Sequence, residues 1–390
     1  MLQKKEKKTI IVIFDALPYI HYDSFGDNFF PNLKKKEIIK LETLIGYSAG
    51  FYPSIWSGLY PDQTNYWSNF KFNYKTSDNA NNITNTSIIN KISNILRYFP
   101  TKFSQLSSLA LFLMSNKLDL FPYNYPACFD FRLKNQFNYE DCYNFIFYPE
   151  KERNTNHTTL FSRLRTRNIS FKYIDTSQFI YDFTKYKESI IFYMNPILDS
   201  LGHKYGPNSK KYKKKIIKVF KWINELISKD DLNIIIFSDH GMTEVREKFN
   251  PLKILKDLNL KLNKDIFVWL DSTIVRFWFN SKKSLKLKSE LIEMFNNKEI
   301  GHILTKSEKI RYGLNFNNRY FGDIIYLVDP YYEIFPNFFN INPFKKTSGL
   351  HGYIPTHKSS YGIFYSNYKE YQNPTSIIDL YNLFVNVLKL

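Results

Sequence analysis

The sequence predicts an α/β fold in which a mostly parallel central sheet carries helices on both faces. Three runs of residues, 9–15, 189–195 and 232–239, are almost continuously apolar, as expected of parallel strands that are covered on both sides. Residues 209–228, between the second and third runs, place their apolar side chains on one helical face opposite lysines. A strand, a helix and a strand in this order predict a βαβ unit.

The first apolar run, which ends at Asp15, is predicted to be the first buried strand. It follows a basic start, as in a signal peptide, but its roughly six apolar residues are too few and no cleavage site follows. A helix is predicted over 157–168 and a strand over 170–175. No stretch approaches the ~20 apolar residues of a membrane span. Cys128 and Cys142 form no CxxC motif, which favours a reducing cytoplasmic location and leaves one disulfide open.

The length of 390 residues fits one large domain with insertions better than several small domains. Two regions interrupt the alternation of strands and helices. Residues 71–150, rich in Asn, Phe and Tyr, are interpreted as an inserted, mostly helical cap, and residues 256–330 as a small β-containing subdomain. The core domain is then expected to be built from residues 1–70, 151–255 and 331–390.

The chain is strongly basic, with 54 Lys and Arg against 36 Asp and Glu and a formal net charge of +18. This charge fits an anionic substrate, a nucleic acid or an anionic membrane surface. The alternative is the codon bias of a genome rich in A and T, which favours Lys, Asn, Ile, Phe and Tyr. No nucleic-acid-binding motif is found. Two features would suit a peripheral membrane contact: an apolar patch at 106–114 and a lysine-rich helical face at 210–221. The simpler explanations are a core helix of the cap for the patch and a solvated helix face for the lysines.

Acidic and histidine residues follow the predicted strands where these end, and in an open α/β sheet that edge is where ligands bind. The six candidate ligands are Asp15, Asp199, His203, Asp239, His240 and His351. Three carboxylates and three imidazoles suit two divalent metal ions, with Zn²⁺ favoured and Mn²⁺ or other ions open. Taken singly, Asp15 could cap a loop and His203 could be a surface residue, so the prediction depends on the whole set.

The spacing of Asp199 and His203 permits one helical face, but Gly202, Gly206 and Pro207 favour a loop there. The pair Asp239–His240 is a stronger signal, since such a pair is a poor end for a core strand without a ligand. The remaining histidines have no comparable context and are interpreted as structural: His21, His157, His302 and His357. Among these four, His357 is the first to consider as an exception.

Five segments together resemble the alkaline phosphatase superfamily, and most closely its type I phosphodiesterase/nucleotide pyrophosphatase branch. They are FDALPY, GLYP, DSLGHKYGPNS, SDHGM and LHGY, in the order and approximate spacing of that branch. The resemblance covers roughly residues 9–70, 155–255 and 345–390, and it implies an alkaline-phosphatase-like fold. The segment GLYP would be weak alone, whereas DSLGHKYGPNS and SDHGM are specific.

The resemblance also implies a nucleophile. In that branch a Thr or Ser nucleophile lies ten residues before the Gly of GLYP, and an Asn that binds a phosphate oxygen lies eleven residues after it. Counting from Gly58, these positions hold Ser48 and Asn69 without a gap. Ser54 and Ser57 are expected in a helix that follows the loop holding Ser48. The implied ligand sets are Asp15, Asp239 and His240 for one metal ion and Asp199, His203 and His351 for the other, with Ser48 also at the metal.

The implied reaction is hydrolysis of a phosphodiester or pyrophosphate bond through a phosphoseryl intermediate at Ser48. The substrate is expected to be an anionic phosphoester: a nucleotide, a nucleotide-sugar, or a lipid- or glycan-linked phosphate. The sequence SAGFY lacks the Pro and Arg of a sulfatase, and it lacks the Arg that follows the nucleophile of alkaline phosphatases proper, which favours diesters. Thr64 and Asn65 replace a frequent His-Gly pair, which is expected to alter the substrate pocket.

Two other interpretations stay open. On the same scaffold the chain could be a phosphomonoesterase, a phosphonate hydrolase or a phosphomutase. It could also be a non-catalytic protein that binds a membrane surface or a polyanion. The complete set of six ligands argues against the second, because a decayed site is expected to lose at least one.

Overall fold

A computed structural model describes residues 7–30, 37–72, 137–139, 157–262, 264–340 and 346–390. The chain divides into two compact units. The first contains the described residues of 1–67, 142–245 and 347–390, and the second contains those of 68–141 and 246–346. Most of the predicted cap at 71–150, including Cys128, Cys142 and the patch at 106–114, lies outside the described residues.

The elements are numbered along the chain. The described strands are β1 (Lys8–Phe14), β2 (Ile39–Leu41), β3 (Phe70–Phe72), β4 (Phe137–Tyr139), β5 (Phe171–Asp175), β6 (Ile190–Asn195), β7 (Leu232–Ser238), β8 (Thr243–Glu244), β9 (Glu247–Phe249), β10 (Ile266–Leu270), β11 (Ile274–Phe279), β12 (Gly301–Ile303), β13 (Ile324–Val328), β14 (Tyr332–Ile334), β15 (Gly349–Leu350) and β16 (Gly362–Ser366). The described α-helices are α1 (Tyr19–Phe25), α2 (Ser48–Ser57), α3 (Pro61–Thr64), α4 (Leu160–Thr166), α5 (Ile197–Tyr205), α6 (Lys210–Ile227), α7 (Leu252–Asp257), α8 (Lys282–Lys286), α9 (Lys288–Asn296), α10 (Lys306–Arg311) and α11 (Asp379–Val387).

The first unit is built on a six-stranded sheet with the order β2-β16-β7-β1-β6-β5. Strands β7, β1, β6 and β5 are parallel, whereas β16 and β2 continue the sheet by antiparallel pairing. This confirms the predicted mostly parallel sheet. The last residue of β1, Phe14, pairs with the last residues of both neighbours, Asn195 and Ser238. Three strands therefore end at one edge, and the residues after them are brought together.

Helices cover both faces of this sheet, as the continuous apolar runs predict. Along β1, Ile11 and Ile13 face one core cluster, which contains side chains of α2, α4 and α11. Ile10 and Val12 face the other cluster, which contains side chains of α1 and α6. Because successive side chains of a strand point to opposite faces, a strand buried on both sides must be apolar at every position.

The predicted elements of the core occur close to their expected bounds. Helix α6 spans Lys210–Ile227, α4 spans Leu160–Thr166 and β5 spans Phe171–Asp175. Among the described residues, no helix combines the length and the apolar character needed to cross a bilayer.

The second unit contains a four-stranded antiparallel sheet with the order β10-β11-β13-β12. It also contains the parallel pair β9–β14 and the antiparallel pair β3–β4. The stretch 256–330, expected to be a small β-containing subdomain, lies in this unit. So do 68–70, 246–255, 331–340 and 346, for which the prediction of a place in the core domain is wrong.

Candidate metal centre and nucleophile

The first part of the site follows directly from the ends of β1 and β7. Asp15 comes after Phe14, and Asp239 and His240 come after Ser238, to which Phe14 is paired. His240 Nε2 lies 3.1 Å from Asp15 Oδ1 and 3.6 Å from Asp239 Oδ2. Asp239 and His240 are fully buried, at 0% and 1% exposure, so their charge is held away from water.

Helix α5, after β6, carries Asp199 and His203, and the expectation of a loop there is wrong. The two residues lie one turn apart on the helix, with His203 Nε2 3.1 Å from Asp199 Oδ1. Gly202 does not break the helix, and it packs closely against Met242, since a Cβ there would lie 2.7 Å from Met242 Cε. The helix ends at Gly206, which has a positive φ of 81°.

His351 reaches the same site from the end of β15, which pairs with β8 just beyond His240. Its ring stacks on that of His240, with centroids 3.8 Å apart and planes 18° apart. His351 Nε2 lies 3.6 Å from Asp199 Oδ1. The carbonyl of Gly349 lies 2.9 Å from His203 Nδ1 and thereby fixes the orientation of that ring. Nothing in the sequence signals this role of Gly349.

These side chains fit divalent metal ions. Two sets place one ligand atom per residue within 4.8 Å of one another: Asp15, Asp239 and His240, and Asp199, His240 and His351. Several of the atoms are buried and make no hydrogen bond to any described residue: Asp15 Oδ1, Asp199 Oδ1, Asp239 Oδ2, His240 Nε2 and His351 Nδ1. Buried polar atoms without partners are costly unless a ligand satisfies them. His240 belongs to both sets, whereas His203 contacts Asp199 alone among the carboxylates.

The pKa shifts of the candidate ligands also favour a bound cation. Burial, together with repulsion from Asp199 and Asp239, raises the pKa of Asp15 to about 8. Burial opposes a charge on His240, but attraction to Asp239 and Asp15 outweighs it and raises the pKa of His240 to about 10. Burial and the neighbouring His240 lower the pKa of His351, which keeps that ring neutral at pH 7. The metal-free cluster thus holds protons that a divalent cation can replace.

Ser48 is the first residue of α2, so the expectation that it lies in a loop before the helix is wrong. The helix spans Ser48–Ser57, with Tyr47 as its N-cap and no acidic residue in its first turn. The first N–H groups of an α-helix have no partner within the helix, and they favour an anion. Half-buried Ser48 is therefore presented at a positive helix end.

Two ring contacts connect this helix start to the histidine pair. Tyr47 packs edge-on against His351 with centroids 5.5 Å apart, and Phe51 packs against His240 at 5.7 Å. Ser54 and Ser57 lie inside the helix, as expected. Both are buried, and the Ser57 hydroxyl donates to the Pro53 carbonyl at 2.7 Å. Neither is placed to act as a nucleophile.

Asn69 lies in the second unit, immediately before β3, and is buried. The fully buried guanidinium of Arg276 donates to the residues on either side of it: to the Phe70 carbonyl at 3.0 Å and to Ser68 Oγ at 3.1 Å. The segment that carries Asn69 is thus fixed from within its own unit. The proposed contact of Asn69 with phosphate stays a prediction.

The histidines interpreted as structural have ordinary surroundings where they are described. His302 Nε2 lies 2.8 Å from Glu308 Oε1, and His357 Nδ1 lies 2.7 Å from Ser359 Oγ. His21 is buried against the rings of Phe25 and Tyr212. None of these three belongs to either set of candidate ligands.

The fold defines an alkaline-phosphatase-like protein. The chain is similar over 98% of its length to human ectonucleotide pyrophosphatase/phosphodiesterase 5, with a TM-score of 0.63, 16% identity and 95% of that chain covered. An inactive murine form of the same enzyme, in complex with AMP, gives a TM-score of 0.60 at 15% identity, over 99% of this chain and 96% of that one. At these identities the likeness shows the fold alone.

The family is shown by the sequence match. The model of the type I phosphodiesterase/nucleotide pyrophosphatase family matches residues 50–354, so the chain belongs to that family. Over 61 residues it is 43% identical to ectonucleotide pyrophosphatase/phosphodiesterase family member 7 of Mus musculus and to that of Rattus norvegicus. The chain spans 14% of the length of these curated relatives, and the match covers 14% of the chain.

Proposed function

We propose that the protein is a metal-dependent hydrolase that cleaves a phosphodiester or pyrophosphate bond through a phosphoseryl intermediate at Ser48. The observation that carries this proposal is the pair of overlapping carboxylate–imidazole sets at one edge of the sheet. Their buried oxygen and nitrogen atoms make no hydrogen bond to described residues. A helix start with an accessible hydroxyl packs against the two histidines that stack there.

Each residue has a proposed role. Asp15, Asp239 and His240 hold one divalent ion, and Asp199, His351 and His203 hold a second, with His240 near both sets. Ions bound there, with Zn²⁺ favoured, would lower the pKa of the Ser48 hydroxyl and of a water and neutralise phosphate oxygens. Ser48 Oγ attacks phosphorus as the bond to the leaving oxygen breaks, and water later cleaves the Oγ–P bond. The N–H of Ala49, second in the helix, donates to a non-bridging oxygen.

The proposed substrate is a nucleotide or nucleotide-sugar phosphodiester, with lipid- or glycan-linked phosphates as the alternative. Family membership supports this class, and a structural neighbour is described as a complex with AMP. The helix start that presents Ser48 has no acidic residue in its first turn, which suits an anionic group. The cytoplasmic location expected from the cysteines stays a prediction.

The test compares Ser48→Ala with Ser54→Ala in zinc-loaded protein, using bis-p-nitrophenyl phosphate. Ser54 is the matched control, because its hydroxyl is buried in the same helix and makes no hydrogen bond to a described residue. Ser48→Ala is expected to lower kcat by at least about a thousandfold at unchanged metal content, since it removes the nucleophile. Ser54→Ala is expected to retain activity within about twofold.

Two results would contradict the proposal. Activity retained by Ser48→Ala would place the nucleophile elsewhere. Faster turnover of p-nitrophenyl phosphate than of the diester would favour a phosphomonoesterase on the same scaffold. The non-catalytic alternative has one observation in its favour, the exposed lysines of α6, and sedimentation with anionic vesicles at rising salt tests it.

A further inference from the structure

Trp67 lies against the segment that carries Ser48. It is 3% exposed and belongs to the same unit as α2. Its indole Nε1–H donates to the carbonyl of Ile45 at 2.7 Å, three residues before Ser48. Neither the fold class nor the metal centre requires a tryptophan here, so its role is open.

The indole occupies space that only glycine leaves free on both sides of Ser48. A Cβ at Gly46, where φ is +123°, would lie 2.7 Å from Trp67 Nε1. A Cβ at Gly50 would lie 3.1 Å from Trp67 Cδ1 and 3.1 Å from the Trp67 carbonyl oxygen. Contacts under about 3.4 Å leave little room for a side chain at either position. The two glycines therefore allow the Trp67 indole to pack closely against this segment. Ser48 lies midway between them in the chain.

The same contacts act on the first turn of α2. The N–H groups of Gly50 and Phe51 both donate to the Tyr47 carbonyl, at 2.8 and 3.2 Å, and these bonds close that turn. Helix ends fray readily when tertiary packing does not support them. Trp67 supplies that packing at Gly50 and fixes the entering chain at Ile45, so it limits the directions in which the Ser48 hydroxyl can point.

We propose that Trp67 is a positioning residue for the Ser48 nucleophile, acting through Ile45, Gly46 and Gly50. The catalytic consequence rests on the proposed function of Ser48, whereas the effect on the helix start does not. A nucleophile displaced by about 1 Å can lose about a hundredfold in rate, because a near-attack geometry is lost. A positioning role therefore lowers kcat and leaves substrate binding largely intact.

The test is Trp67→Phe, with Trp222→Phe as the matched control. Trp222 is also buried, at 2% exposure, and its Nε1–H also donates to a backbone carbonyl, that of Ile180, at 3.1 Å. It belongs to the core cluster on the face of the sheet opposite α2. Both variants lose one indole hydrogen bond and some volume, and a similar fall in thermal midpoint is expected for both.

Two readouts separate positioning from stability. For Trp67→Phe in zinc-loaded protein, kcat on the diester is expected to fall about ten- to a hundredfold, with KM changed less than about threefold. Hydrogen exchange at the amides of Gly50 and Phe51 is expected to become at least about tenfold faster. Trp222→Phe is expected to leave kcat and both amides at wild-type values.

Unchanged exchange at Gly50 and Phe51 would overturn the proposal, whatever happens to activity. Faster exchange with kcat within about twofold of wild type would overturn it too, because the ordered helix start would then be irrelevant to the reaction. If the wild-type protein turns over no phosphoester at all, the proposed function fails. The exchange measurement still decides in that case whether Trp67 orders the segment around Ser48.

Discussion

The two parts of the candidate site are held in place by different kinds of contact. The candidate ligands Asp15, Asp239 and His240 follow β1 and β7, and the paired ends of these strands bring them together. The segment around Ser48 is not placed by pairing between strands. It is fixed by side-chain contacts, with Trp67 against Gly46 and Gly50, and with Tyr47 and Phe51 against the stacked histidines. Backbone pairing thus places these three candidate ligands, and local packing places Ser48, the proposed nucleophile.

This difference has consequences for mutation. A substitution among the ligands removes charge or an imidazole from a frame that stays in place. A substitution in the packing around Ser48 is expected to move the proposed reacting atom while the candidate ligands remain in place. The first class is therefore expected to alter metal content, and the second to alter kcat at constant metal content.

The largest effect is expected from His240→Ala, because His240 belongs to both sets of ligand atoms. We expect the variant to lose both ions and its diesterase activity to fall by more than about a hundredfold. A fall of about a hundredfold already follows the loss of a residue that only hydrogen-bonds to a metal ligand. His203→Ala, which removes a proposed ligand of the second ion only, is expected to keep the ion at Asp15 and Asp239. Metal analysis of the two purified variants checks this. Retention of both ions by His240→Ala would refute the shared role.

The next effect concerns His21, a buried histidine whose pKa is shifted opposite to that of His240. Burial, aided by Lys213, lowers the pKa of His21 from 6.5 to about 4. Above pH 6.5 both the folded and unfolded states carry a neutral ring. As the pH is lowered from 6.5 to 4, only the unfolded state takes up the proton. The free energy of unfolding therefore decreases as the pH is lowered, by about 3 kcal/mol at most.

His21→Phe is expected to abolish this part of the pH dependence, because phenylalanine does not titrate and retains the packing against Phe25 and Tyr212. Urea unfolding at pH 7 and pH 4.5 measures it for both proteins. A difference between wild type and variant that stays constant over this range would show that His21 is not kept neutral by the fold.

The smallest effect is the pH dependence of metal binding, about tenfold in affinity per pH unit for each proton released. The raised pKa values of Asp15, about 8, and of His240, about 10, mean that the metal-free site carries protons at pH 7. Affinity is therefore expected to rise from pH 6 to pH 8. Zinc titration calorimetry in buffers of different ionisation enthalpy counts the released protons. An affinity independent of pH would contradict the protonated cluster.

The sequence predicts well the strand ends that carry Asp15 and Asp239, and it predicts poorly the structure around Ser48, for a physical reason. Strand ends are readable because continuous apolar runs stop at Asp15 and at Asp239, and parallel strands share an edge. The sequence predicts a loop in place of α5, because glycine is a local helix breaker, and it predicts a loop at the start of α2, where the structure has a helix from Ser48. Gly202 instead lies within the helix and packs closely against Met242, and such a long-range contact leaves no local pattern in the sequence. The close packing of Trp67 against Gly46 and Gly50 cannot be predicted from the sequence for the same reason.

The most direct test of the account is to quench diester turnover by the zinc-loaded protein with acid and to weigh the peptide that contains residues 46–57. We predict that Ser48 of the wild-type protein carries the phosphoryl group of the diester together with its remaining ester substituent, that this adduct is absent from Ser48→Ala, and that both proteins hold about two ions per chain. Turnover that proceeds without any adduct, or with the adduct on another residue, would contradict the assignment of Ser48 as the nucleophile.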